Sequence, residues 1–196
     1  EPQAALRGGM TLEAALNPQA GSYSVRGVQV ELKPAAEWIA VEIDREPSEN
    51  ESSLWRVVKA PKAEALPELR AAFDGKRNLV VVPKSLVHGP EHLAKLAEER
   101  RLPPLFPVYE HNGSQAVMLG AVLLKAENEA AMEAITKFAE EQGMKSGVTR
   151  RDVIRFEFGA ACTFKDSFAA VAALAQRPGV VWCEPVMALE LRKIEP

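Results

Sequence analysis

The side chains in this 196-residue chain with the chemistry to hold a metal or attack a substrate are three histidines, two cysteines and scattered hydroxyls. His88 and His92 fall in Val87-His88-Gly89-Pro90-Glu91-His92, four residues apart. A structural or catalytic metal needs a third or fourth ligand in reach, and the remaining histidine, His111, lies in a distant polar turn. The pair therefore reads as a solvated helix-entry loop, with no metal. Ser114 follows Gly113 but sits in no G-x-S-x-G stretch, so nothing marks it as a nucleophile. The glycines are too scattered to cradle a phosphate, and Arg150-Arg151 reads as a solvated hairpin turn. Cys162 and Cys183 lack C-x-x-C spacing and read as buried thiols, a single disulfide being the other reading if the parent protein is exported. Trp38, Trp55 and Trp182 all lie inside strand-like patterns, which points to core packing rather than a stacking platform. Neither catalysis nor a cofactor is expected from these residues.

Composition fits that expectation. The chain is 47% hydrophobic and 26% charged, enough apolar material for one large or two small cores. A formal charge of -3 gives no overall electrostatic reason to bind nucleic acid or an anionic membrane, and no apolar run approaches the length of a membrane span. The first residue is Glu1, as expected of a processed or excised product.

The elements that must position any binding residues divide into an arm and two units. Residues 1–21 read as a loose arm with a short helix from Thr11. Residues 22–112 read as an α+β unit. Tyr23 to Leu32 alternates as a half-buried strand, Pro34 to Glu37 makes a turn, and Trp38 to Ile43 returns as its partner. A solvated loop over 45–53, a strand at Leu54–Val58, a helix from Ala63 to Phe73, a strand at Asn78–Val82 and a helix from Gly89 to Arg101 follow. Glu110 to Ser114 forms the junction.

Residues 113–196 are easier to parse. A strand at Ala116–Leu124 leads to a helix over Glu127–Gln142 with Met132, Ile135, Phe138 and Ala139 on one stripe. Strands at Val148–Thr149 and Asp152–Phe158 flank the double-arginine turn. Thr163 and Asp166 have capping-box spacing ahead of a helix carrying Phe168, Val171, Leu174 and Ala175. The last strand is Val180-Val181-Trp182, and Pro185 requires it to end or to lie at a sheet edge. The order β-α-β-β-α-β is that of a split βαβ, a ferredoxin-like antiparallel sheet with two helices on one face. Both registers of its strands carry large apolar groups, so the face away from the helices needs a cover: a partner or the first unit.

Arg177-Pro178-Gly179-Val180-Val181-Trp182-Cys183-Glu184-Pro185-Val186, taken with that element order, resembles the close of the propeptide (inhibitor) domain of subtilisin-like serine proteases. The resemblance covers Ala116 to Val186. It implies a non-catalytic pro-region that chaperones and inhibits a subtilisin-like catalytic domain, in a secreted or cell-envelope parent. No "GTSMA"-like or "HGTH"-like block of a catalytic domain occurs in the chain. The resemblance also implies that the sheet lies on surface helices of the protease. Glu184 would cap those helices' N-termini through charge-assisted hydrogen bonds, beside Pro185 and Val186. The segment through Leu189 and Leu191 would enter the protease cleft by strand addition. Its alternation is equally that of a last strand pairing with the first unit. The alternative function is an ACT-like module of the same topology that binds a small ligand or dimerises.

Overall fold

The computed structural model describes residues 12–43, 56–58, 78–84, 104–150 and 152–189. Over these residues the protein is mixed α/β, with nine strands in one sheet whose pairings are all antiparallel, and three helices. The strands are β1 (Gly21–Val25), β2 (Val28–Ile43), β3 (Arg56–Val58), β4 (Asn78–Pro83), β5 (Leu105–His111), β6 (Ser114–Ala126), β7 (Met144–Arg150), β8 (Val153–Phe158) and β9 (Val180–Leu189). The helices are α1 (Leu12–Leu16), α2 (Glu129–Glu141) and α3 (Ser167–Ala175).

The first half departs from the alternation read off the sequence. The expected strand from Tyr23 to Leu32 is a hairpin, turned at Arg26 (φ 51°) and Gly27 (φ 79°). A two-residue loop with both φ positive matches the twist of the flanking strands, and it leaves apolar-polar alternation intact on either side. The expected turn at Pro34–Glu37 is instead the middle of β2, a 16-residue strand. Its register against β5 shifts between Pro34 and Ile39, an irregularity that accommodates a residue with no amide hydrogen. Trp38 to Ile43 accordingly pairs with β4 and β5 rather than folding back on Leu32. The expected helices at 63–73 and 89–101, the loop at 45–53 and Leu54-Trp55 lie outside the described residues.

β6 organises the remainder. Its start pairs with β5 through the Asn112-Gly113 turn, whose φ values are 50° and 74°. Its end pairs with β8, and β9 runs along it from Ala116 to Ala126. β8 then pairs with β7, giving the local order β9-β6-β8-β7. β9 continues through Pro185 to Leu189, beyond the short strand expected. Its only ladder partner among the described strands is β6, so the missing amide hydrogen of Pro185 breaks no second ladder. The register shift between Met118 and Val122, around Gly120 (φ 66°), lets β6 bend while keeping β9 attached.

α2 and α3 pack on the same side of this local sheet. Ile135 and Ala139 of α2 join Ala170, Val171 and Leu174 of α3 against Val122, Leu124, Ile154, Phe156, Phe158 and Cys183. Each fully buried large side chain here contributes roughly 1.5–3 kcal/mol of transfer free energy. Asn128 caps α2 by accepting from the Ala131 amide at 2.9 Å, and Asp166 caps α3 by accepting from Ala169 at 2.8 Å. Asp166 is thus the cap itself, not the fourth residue of a box begun by Thr163, whose hydroxyl donates to Gln142 Oε1 at 2.7 Å. The α3 stripe is rotated from the expected one: Ala170 is buried, Ala175 is exposed, and Phe168 turns toward Tyr109. A second core joins α1, β2, β4 and β5 with the start of β6 and the end of β9, through Ala15, Ile39, Val81, Val108, Val117 and Ala188.

Candidate functional site

Alternation along β9 sends Cys183 to the helix side of the sheet and Trp182, Glu184 and Val186 to the other. On that second face Val186 meets Ala121, Leu123 and Val153, with Leu119 and Trp182 packed around them. β8 contributes Arg155 and Glu157 to the same face, joined by an ion pair at 3.1 Å. The face is therefore apolar along β6 and charged along β8. It is also closed within the chain: Ala121, Leu123, Val153 and Val186 are 0%, 4%, 7% and 2% exposed. Among the described residues the large hydrophobics that do stand in solvent are Val28 and Val181.

Glu184 lies opposite Leu123 and is half-buried. Burial pushes its carboxyl above the usual carboxylate range, and the guanidinium of Arg26 pulls it partly back. Arg26 projects from the β1–β2 turn, and its guanidinium carbon lies 5.8 Å from the centre of the Trp182 ring. Tyr23, on the same hairpin, has its hydroxyl held above the ordinary tyrosine range by burial and by the Glu184 charge. The thiol of Cys183 is raised by the same two causes, burial first. The hairpin thus supplies Glu184 with a cation, while Tyr23 packs against the helix-side clusters and feels the Glu184 charge. Pro185 and Val186 are buried, Leu189 closes β9, and Leu191 lies outside the described residues.

Sequence reading located Glu184 but missed Arg26 and Tyr23, because they lie more than 150 residues away along the chain and their proximity depends on the unread hairpin. The Arg-Gly pair was the signal that could have revealed that hairpin.

His111 ends β5, half-buried, with Nε2 3.2 Å from Asn112 Nδ2, while His88 and His92 lie outside the described residues. Among the described residues no group of three or more His, Cys, Asp or Glu is placed to hold a metal ion. Cys162 and Cys183 are free thiols, the first half-buried and the second buried. No helix among the described residues is long and apolar enough to cross a membrane. No family model matches the chain, and neither a curated protein nor a solved structure matches it.

Proposed function

We propose that residues 113–196 form a ferredoxin-like, split βαβ unit acting as the propeptide-like inhibitor and folding chaperone of a subtilisin-like serine protease. The chain as a whole is then the non-catalytic N-terminal region of such an enzyme. The observation that supports this reading is the local order β9-β6-β8-β7, antiparallel throughout, with α2 and α3 against one side. That order is what a β-α-β-β-α-β chain adopts when each helix returns it to a strand one place removed from the last.

The closed second face changes how such a unit engages its protease. Leu123 and Val186 are already covered, and Glu184 has Arg26 as its charge partner, so a protease helix laid across this face would first have to displace the chain's own packing. Contact is better made at the end of β9, which pairs only with β6 among the described strands, and through the residues that follow Leu189. Main-chain hydrogen bonds from an added strand would supply affinity there, with Leu189 and Leu191 filling alternate pockets.

The test is residual peptidase activity of several subtilisin-like proteases mixed with the purified chain. Micromolar inhibition is expected, weakened at least tenfold by Leu191→Asp. Undiminished activity across the panel would refute the reading.

A further inference from the structure

A cleft of about 280 Å³ opens between α1, β5 and the start of α3, on the helix side of the sheet and away from Glu184. That volume falls just below the usual range of small-molecule sites, roughly 300 to 1,000 Å³. Its apolar lining comes from Pro18, Pro107, Met118 and the ring of Phe168. Tyr109 stands edge-on to Phe168 with ring centres 5.5 Å apart, an arrangement that fixes both rings. The Tyr109 hydroxyl is committed, donating to the carbonyl of Gln19 at 3.2 Å.

Three charged groups border the cleft: the carboxylates of Glu13 and Asp166 and the ammonium of Lys165. Each carboxylate has one oxygen engaged, Glu13 with the Asn17 amide at 2.9 Å and Asp166 with the Ala169 backbone at 2.8 Å. A carboxylate has about four lone-pair positions, so both retain accepting capacity. The decisive feature is Ser167. It is 1% exposed, it lines the cleft, and its Oγ has no hydrogen-bond partner among the described residues. Leaving a buried hydroxyl unpaired is unfavourable, and Ser167 borders the cleft.

We propose that this cleft binds a small primary ammonium compound with an apolar body. The ammonium is placed between the Asp166 and Glu13 carboxylates and Ser167 Oγ, and the body lies against Phe168, Met118 and Pro107. An ammonium group supplies three donors and no acceptor, matching two carboxylates and a hydroxyl, while an anion would face two like charges. Lys165 at the border distinguishes two sources of the same chemistry: a simple amine leaves it in solvent, and an amino acid gives it a carboxylate. The reading is independent of the protease one, since it uses neither β9 nor the residues beyond it.

The experiment is a titration of the full chain, followed by backbone amide chemical shifts, with phenethylamine, leucinamide, leucine and phenethyl alcohol. The amines are expected to shift Ala14, Phe168 and Ala169 saturably. Phenethyl alcohol, the same body without the charge, should bind at least tenfold more weakly. Asp166→Asn keeps a side chain able to cap α3, and it should weaken the amines about tenfold. Ser167→Ala should weaken them while leaving the melting temperature unchanged or raised. Leucine binding more tightly than leucinamide would identify the amino acid as the source, and the reverse would identify the amine. Absent shifts with every amine, or equal binding of phenethyl alcohol, would overturn the proposal, as would an unchanged affinity in Asp166→Asn.

Discussion

Replacing Gly143 by alanine tests how the end of α2 is held. Gly143 has φ 81°, its amide donates to the Glu140 carbonyl at 2.9 Å, and its own carbonyl accepts from Gly159 at 3.0 Å. A side chain at this position meets two separate costs. The left-handed backbone costs an L-residue about 1–2 kcal/mol. The added Cβ would also lie 2.3 Å from the Ala161 carbonyl oxygen and 2.7 Å from the Cys162 nitrogen. Both are backbone atoms that cannot rotate away, and overpacking of this kind costs about 1–3 kcal/mol. Gly159 across the junction is as constrained, its Cβ falling 2.5 Å from the Gly143 carbonyl, so neither side can yield independently. Gly143→Ala is therefore expected to lose about 2–5 kcal/mol. At roughly 2–4 °C per kcal/mol for a chain of this size, the melting temperature should drop by about 4–20 °C. Gly27→Ala is the internal control. It has nearly the same φ, 79°, but nothing within 4 Å of the added carbon, so only the backbone cost of about 1–2 kcal/mol applies. Urea unfolding followed by tryptophan fluorescence measures both, and an unchanged slope would confirm that stability alone has moved. Equal losses in the two variants would refute the packing argument.

Two further outcomes follow from the caps and the buried carboxyl. Asn128→Ala should cost about 1 kcal/mol by leaving the Ala131 amide unpaired, and Asn128→Asp should retain most of that, both read from the urea midpoint. Glu184→Gln should stabilise the protein at neutral pH. The folded carboxyl titrates above its unfolded value, so the native state binds more protons and loses stability as pH rises through the interval between the two. The benefit of the amide should then vanish once pH falls below the ordinary carboxylate range, and a benefit that persists there would contradict the assignment.

The latter half was legible in the sequence because its elements carry local markers. The apolar stripe of α2, the Pro-Gly stop before β9 and the alternation in β8 each report on one element without reference to the rest. Even there the boundaries moved: β7 begins at Met144 rather than Val148, and β9 outruns Pro185. Ladder pairing extends a strand past residues of poor propensity when the partner strand is long, as β6 is. The first half was misread because alternation is blind to a two-residue turn, which Arg26-Gly27 supplies. Pro34 also reads as a turn, where a long strand absorbs it at a register shift. Asn112-Gly113 reads as part of a polar junction, and that dipeptide between apolar runs is also a strong hairpin signal, the role it has between β5 and β6. The need to cover the second face was legible, whereas the charges on β8 within that face and the Arg26 partner of Glu184 depended on strand order and could not be read locally.

β9 lies along β6 from one hydrophobic cluster to the other, with Ala188 in the first and Cys183 in the second. It is also the last of the nine strands to leave a ribosome. Until it arrives, an entire edge of β6 stays unsatisfied in both halves at once, and neither cluster can be sealed ahead of the other. Whatever captures that edge during the interval competes with self-closure, so the nascent chain is most vulnerable to mispairing just before β9 emerges.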